Sequence, residues 1–324
     1  MNVYYRWVVL ALSATLALAF PAQGADVSLA SKWKAGDETV FSYTSDSTRR
    51  DSVPAAQATK EQRTRQEMTI RRKVIETGPA GTTLELAFER IKVVITQGRM
   101  FMMFDSAKPP DPDRSNVLED AIAPMIGTPL RVKLDAGDRV MEITGYPQPR
   151  TVDGAVRPLI VDDELVRNSL AGMYGLQKKP SSGKIGDRWT SEEELPGEKG
   201  TVLAIRHLRT LESADLEQAV INSKGTAEIR IVTPGTRPQQ LMQSFDASTS
   251  HHWDHSKGVL KWMVLEQKIA MEGVVKQARS VHLSTVRITL ASEGNTPPPA
   301  PTAPKDAAPG AGNPPPGSIA APPR

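Results

Sequence analysis

Three of the five histidines in this 324-residue chain stand together in His251-His252-Trp253-Asp254-His255. A metal site needs two or more such ligands on one side of the backbone, converging within a few ångströms. In an extended strand, positions two apart share a face, which pairs His252 with Asp254 as the metal candidates. His251 and His255 fall about 13 Å apart along the same strand. No distant second ligand set presents itself, so the simpler reading is a polar hairpin shoulder leading into Lys257-Gly258, with no metal and no other cofactor.

Nucleophilic chemistry has few places to start. There is no cysteine, which removes thiol catalysis, Cys-ligated metals, a lipidated N-terminal cysteine and any disulfide framework. Ser-x-x-Lys occurs at Ser31 to Lys34 and at Ser181 to Lys184. The pattern resembles the first element of penicillin-recognising serine enzymes, but the companion elements are missing and both copies precede strands rather than open helices. No Gly-x-Ser-x-Gly elbow, phosphate-cradling loop, dinucleotide fingerprint or His-Glu-x-x-His occurs. Glu192-Glu193-Glu194 and Asp162-Asp163 are adjacent carboxylates of the kind that lie on solvated surfaces.

Two features suit binding better than catalysis. Between Arg49 and Lys73 eight cations, Arg71 and Arg72 among them, face Asp51, Glu61 and Glu67. Such a stretch could meet the phosphate or sulfate of an envelope component, or form a solvated hairpin face and loop. Met100, Met102 and Met103 stand beside Phe101 and Phe104, a combination that fills cores, lines adaptable hydrophobic grooves or ligates copper(I). Met100, Met102, Phe104, Arg71 and Arg72 are the candidate ligand contacts.

Tyr4, Tyr5 and Arg6 lead into an apolar run, Trp7 to Phe20, closed by Pro21-Ala22-Gln23-Gly24. This is the order of a secretory signal peptide cleaved after Gly24. The run is shorter than the roughly 20 residues a spanning helix needs, so no transmembrane segment is expected in the mature chain. Lys plus Arg number 40 against 37 Asp plus Glu, a near balance that gives no reason to expect nucleic acid. From Asn295 to Arg324 the chain carries 11 prolines and one large aliphatic residue, Ile319. That composition predicts a disordered tail, partly polyproline II.

Between the two ends the dominant period is two. Leu84, Leu86 and Phe88 fall on one parity and Ile91, Val93 and Ile95 on the other, so Glu89-Arg90 predicts a β-bulge. A tight hairpin at Gln97-Gly98 leads into Met100 to Phe104. Leu130, Val132 and Leu134 alternate up to a turn at Asp135 to Asp138, with Val140 to Ile143 returning. Leu203 to Leu211, Ala227 to Ile231, Val259 to Met271 and Val281 to Leu290 read as further strands. Helical spacing is limited to Val117 to Met125, behind Ser115 and stopped near Pro124, and to Asp162 to Tyr174.

An internal echo links the two halves. Ser31-Lys32-Trp33-Lys34-Ala35-Gly36-Asp37 aligns with Ser181-Ser182-Gly183-Lys184-Ile185-Gly186-Asp187, Phe104-Asp105-Ser106 with Phe245-Asp246-Ala247, and the turn at Asp135 more loosely with Asp254 to Gly258. The Lys-x-Gly-Asp opening, Phe104-Asp105-Ser106, the strand Gly127-Thr128-Pro129-Leu130-Arg131-Val132 and Ile185-Gly186-Asp187-Arg188-Trp189 together resemble an uncharacterised family of bacterial secreted proteins. The resemblance implies no activity. At the level of fold, the strand-rich order is also similar to the curved sheets of lipoprotein carriers.

The sequence thus predicts a mainly β (α+β) protein of curved antiparallel sheets with one or two packed helices. It divides into a signal peptide (1–24), a first β-rich module (25–150), a helical connector (151–178), a second β-rich module (179–294) and the tail (295–324). The expected role is non-enzymatic, in the periplasm or outside the cell: binding a lipid-like ligand or scaffolding the envelope. The competing readings are an unrecognised envelope hydrolase and an interaction protein that works through its tail. The oligomeric state has no signature in the sequence.

Overall fold

The protein is described by a computed structural model over residues 26–53, 58–109, 117–147, 151–152, 155–156, 180–196, 201–233, 240–273 and 279–290. The leader, Ser115, the helix expected over 162–174 and the Pro-rich tail lie outside the described residues. The chain forms β1 (Val27–Ser28), β2 (Glu38–Val53), β3 (Ala58–Gly78), β4 (Gly81–Gln97), β5 (Met100–Asp105), α1 (Val117–Ile122), β6 (Leu130–Leu134), β7 (Val140–Thr144), β8 (Thr151–Val152) and β9 (Ala155–Val156). It continues with β10 (Ser182–Gly183), β11 (Arg188–Pro196), β12 (Thr201–Ala214), β13 (Gln218–Ile231), β14 (Gln240–Asp254), β15 (Val259–Gly273) and β16 (Arg279–Leu290). The architecture is the mainly antiparallel β fold that the period of two predicts, with one short helix among the described residues.

One 12-stranded sheet takes the order β11-β12-β13-β14-β15-β16-β2-β3-β4-β6-β7, with β5 paired to β4. Both halves of the chain therefore share a sheet, joined where β16 lies between β15 and β2. The bulge predicted at Glu89-Arg90 is present: Ile70 stands opposite Phe88 and Thr69 opposite Arg90, leaving Glu89 as the extra residue. It moves Ile91, Val93 and Ile95 onto the face already occupied by Leu84, Leu86 and Phe88. The described part of the basic stretch lies on paired strands, Arg49 to Val53 on β2 and Ala58 to Lys73 on β3.

The two Lys-x-Gly-Asp openings make the same hydrogen bonds. Asp37 N–H donates to the Lys34 carbonyl and Asp187 N–H to that of Lys184. Gly36 N–H reaches the Val74 carbonyl at 2.8 Å, and Gly186 N–H the Leu211 carbonyl at 2.7 Å. Val74 and Leu211 return N–H bonds to the carbonyls of Asp37 and Asp187. The turn needs a left-handed residue, and the two glycines supply it at φ 90° and 93°. Beyond these anchors the registers match: Val74–Leu84–Val132 are successive cross-strand partners in one half, as are Leu211–Ile221–His251 in the other. Asp135 and Asp254, three residues past Val132 and His251, each accept backbone N–H bonds in the turn that follows.

One face of the sheet is the core face. A single cross-strand row runs Leu211–Ile221–His251–Met263–Ile288–Tyr43–Met68–Ile91, and every member is buried. The opposite face carries Lys224–Ser248–Glu266–Thr285–Asp46–Arg65 along one row, with all but Thr285 exposed. A membrane barrel turns an apolar band outward; along this row the outward side chains are charged and polar.

The segment 27–33 shows that the sheet bends around its core face. Leu29 N–H donates to the Ser181 carbonyl, and Lys32 N–H to that of Gly258 in the β14–β15 turn. The Ser31 hydroxyl and the Trp33 indole N–H (2.7 Å) both donate to the Asp138 carboxylate in the β6–β7 turn. In a flat sheet β15 and β6 would lie about 24 Å apart across five strand spacings. Three consecutive residues span about 7 Å, so the two turns must come together by curvature. This belt seats Leu29, 0% exposed, in the same core as Leu118, Ile122 and Met125 from α1 and its 3-10 extension.

Candidate functional site

Toward the hairpin ends the core face changes character. The next row reads Trp189–Arg209–Ser223–Thr249–Leu265–Val286–Ser45–Gln66–Val93–Phe104, and the one after it Ser191–His207–Gly225–Ala247–Gln267–Ser284–Ser47–Thr64–Ile95–Met102. Val93, Ile95, Met102 and Phe104 make an apolar wall on β4 and β5. Leu265, Ile269 and Met271 make another on β15. The strip between them, on β16, β2 and β3, presents Ser284, Ser45, Ser47, Thr64 and Gln66. Leu265, Val286, Ile95 and Met102 are half-buried, in contrast to the sealed row above.

Met100, Met102 and Phe104 share this face by their period of two, with Met100 43% exposed at the hairpin end and Phe104 buried. Phe101 points to the other face and is 63% exposed. Arg71 and Arg72 are separated by the same alternation and cannot serve one ligand. Arg71 lies outside, paired with Glu89 at 2.9 Å and with Glu38. Arg72 lies inside and buried, 4.9 Å from the Trp33 ring and 5.0 Å from that of Phe41, and donates to the Thr39 hydroxyl. Elsewhere in the basic stretch Arg50 and Arg63 share Glu61, Arg65 meets Glu67 and Arg49 meets Asp51. Exposed pairs of this kind add little stability, about 0–1 kcal/mol each, but they neutralise the charge that a phosphate would need.

A second polar group sits on β11 to β14, where sequence reasoning singled out the cluster at His251 to His255 but not Arg209 or His207. Arg209 is buried, with Trp189 and Ser223 as its cross-strand partners and Thr249 one strand further. His251 is 3% exposed. Burial first, then the nearby Arg209 charge, pushes its pKa down to about 3. His207, two residues before Arg209, is held at about 4 by the same two causes. His251 Nδ1 and the Trp189 indole N–H have no hydrogen-bond partner among the described residues. The signal for this group was parity: Arg209 and His251 fall in phase with the buried Leu211 and Trp253.

These rings set an acid limit on stability. The folded pKa of His251, about 3, lies below its ordinary 6.5, so between about pH 6.5 and pH 3 protons bind the unfolded chain in preference to the folded one. Stability is present above 6.5 and is lost as pH falls through this window, by up to about 1.4 kcal/mol per pH unit for a fully buried ring. His251→Val removes the contribution. Urea unfolding across the window should give a shallower pH slope for the variant than for the wild type; equal slopes would show that His251 is protonated without cost in the fold.

His252 and Asp254 do not converge on a metal position. The His252 ring stacks on Trp262 with centroids 3.4 Å apart, and its Nδ1 meets Gln218 at 2.6 Å. Asp254 is occupied in the turn, accepting from the Ser256 hydroxyl and the Lys257 N–H. Among the described residues no group of three or more His, Cys, Asp or Glu could hold a metal ion. The Ser-x-x-Lys segments serve as turns: the Ser31 hydroxyl is engaged by Asp138, and Lys184 N–H donates to the Asp187 carboxylate. On the outer face of β12 to β15 a groove of about 560 Å³ is lined by Thr210, Asn222, Ser248, Ser250 and Val264, with Arg188, Lys224 and Glu266.

No family model matches the chain, and no curated protein matches it. Among solved structures it is similar to lipovitellin, from a study of its lipid–protein interactions, at 12% identity and a TM-score of 0.46 over 80% of this chain and 25% of that one. It is also similar to the translocator domain of the autotransporter NalP from Neisseria meningitidis, at 9% identity and a TM-score of 0.30 over 79% of this chain and 89% of that one. An outer membrane channel from Pseudomonas putida F1 gives 7% identity and a TM-score of 0.21 over 80% and 97% of the two chains. All three likenesses are distant, and this chain spans a quarter of the lipovitellin chain. No helix among the described residues is long and apolar enough to cross a membrane.

Proposed function

We propose that this is an exported envelope protein that binds an amphipathic, lipid-like molecule on the curved core face of its sheet. The observation that carries the reading is the change along that face. A fully buried row, apolar but for His251, gives way to two apolar walls, Val93–Ile95–Met102–Phe104 and Leu265–Ile269–Met271, in which Ile95, Met102 and the three β15 residues are half-buried, with hydroxyl and amide side chains between them. A surface of this kind suits a ligand with an apolar body and a polar part. Core packing alone has no use for Ser45, Ser47, Thr64 and Ser284 in a continuous strip. Native mass spectrometry of the protein purified gently from its own envelope tests the reading. A bound species of lipid-like mass is expected, and recovery of the bare chain under lipid-preserving conditions would overturn it.

A further inference from the structure

The groove on the outer face of the second half owes its shape to side-chain length. Two cross-strand rows line it, Arg188–Thr210–Asn222–Ser250–Val264 and Leu208–Lys224–Ser248–Glu266. Thr210, Asn222, Ser248 and Ser250 are short, whereas Arg188, Lys224 and Glu266 are long and exposed, and together they bound about 560 Å³. The first row crosses five strands, about 19 Å. The space is therefore an elongated trough laid across the strands.

Its long side chains are separated by sign. Arg188 and Lys224 come from β11 and β13, and Glu266 from β15. Glu212 lines the margin at the β12 bulge, so the four charges of the groove sum to zero. Elsewhere on this face opposite charges meet: Arg65 and Lys92 share Glu67, Arg50 and Arg63 share Glu61, and Arg230 gathers Glu192, Glu194 and Glu228. Within the groove Arg188, Lys224, Glu212 and Glu266 form no ion pair with any described residue. The side chains of Thr210, Asn222, Ser248 and Ser250 make no hydrogen bond among the described residues either. Ser248 holds Lys224 and Glu266 two strand spacings apart, about 10 Å.

We infer that this groove binds a short extended peptide with free ends, its carboxylate between Arg188 and Lys224 and its ammonium on Glu266. The lengths agree. From β15 to β12, the strand between the two cations, is three spacings, about 14 Å, and four extended residues span about 14 Å. Peptide N–H and C=O groups need partners of both kinds along the way, and three hydroxyls and an amide offer donors and acceptors alike. Leu208, 45% exposed, and the half-buried Val264 give apolar contact to peptide side chains. A neutral sugar would leave every charge unused and would meet no aromatic ring among the lining residues. A polyanion would meet Glu212 and Glu266. The groove lies on the face opposite the proposed lipid site, so neither reading depends on the other.

The test titrates the protein calorimetrically at low salt and about pH 6.5, where an amino terminus carries its charge. Three probes are compared: tetra-alanine with both ends free, its N-acetyl form and its C-terminal amide. The wild type should hold the free peptide about fivefold more tightly than either blocked form. Lys224→Met should cut the penalty for amidation to about twofold or less while keeping that for acetylation. Glu266→Gln should do the reverse. Both side chains are exposed, so neither variant should alter the thermal transition. Arg65→Met, on the same face but three strands beyond Glu266, should change neither penalty.

Equal affinity for the three peptides in the wild type, or no binding of any of them, would overturn the inference. Loss of both penalties together in each variant would do the same, since the two ends would then not be read separately. Binding of cellotetraose without any of the peptides would remove the peptide from the groove and leave a sugar in its place.

Discussion

Replacing Phe41 by alanine is expected to lower the unfolding free energy by about 4 kcal/mol, the range for truncating a buried aromatic side chain. Phe41 is 1% exposed and stands between Leu290 of β16 and Ile70 of β3, at the junction of the two halves of the sheet. The lost ring also uncovers the Arg72 guanidinium 5.0 Å away, leaving a buried cation with one aromatic neighbour instead of two. The effect should therefore sit at the upper end for its class. In a domain of this size each kcal/mol shifts the melting temperature by about 2–4 °C, so calorimetry should record a fall of roughly 10 °C. Ser42→Ala, one residue on and facing outward, should change stability by no more than about 0.5 kcal/mol. A loss for Phe41→Ala no greater than that of Ser42→Ala would mean that this row is not the core.

The second large effect is expected at Gly258. Its φ is +67°, and a Cβ there would lie 2.5 Å from the Lys32 nitrogen and 2.8 Å from the Ala30 carbonyl oxygen. Those atoms belong to the belt, so Gly258→Ala must either push residues 30–32 away or distort the turn held by Asp254. A cost of about 3 kcal/mol is expected, from backbone strain together with the collision. Gly36 is the control. At φ +90° with nothing within 4 Å of its Cβ, alanine pays the backbone strain alone, about 1 kcal/mol. Hydrogen exchange separates the two cases. In Gly258→Ala the amides of Leu29 and Lys32 should lose protection while the β3–β4 amides keep theirs. Unchanged protection at both positions would show that the belt is not pinned at this turn.

Much of the fold was legible because its signals are local. Leu84 to Ile95 announced their bulge by switching parity at Glu89-Arg90, and the turns at Gln97-Gly98 and Asp135 to Asp138 carry the residues those geometries need. The strand β3 was harder to see. Its first half alternates cations with Glu61, Gln62, Thr64 and Gln66, so the period of two is carried by polar side chains on both faces and hydropathy gives no contrast. The candidate site was least legible. Met100, Met102 and Phe104 share one face of β5 because a run of period two sets its own parity. Arg71 and Arg72 were grouped by charge, although adjacent strand residues face opposite ways.

Sequence alone determined the β class of this protein, its strand boundaries where hydropathy alternates, the matching Gly-Asp openings and the absence of thiol chemistry. These depend on the residues within a few positions of each other. Tertiary structure decided the rest. It set the single sheet that places β16 between the two halves, the curvature that brings Asp138 and Gly258 to one belt, and the company kept by each buried arginine. Cross-strand register is a long-range property: Arg209 meets Trp189, Ser223 and Thr249 only because strands separated by tens of residues pair in one alignment. No local pattern in the chain encodes that alignment.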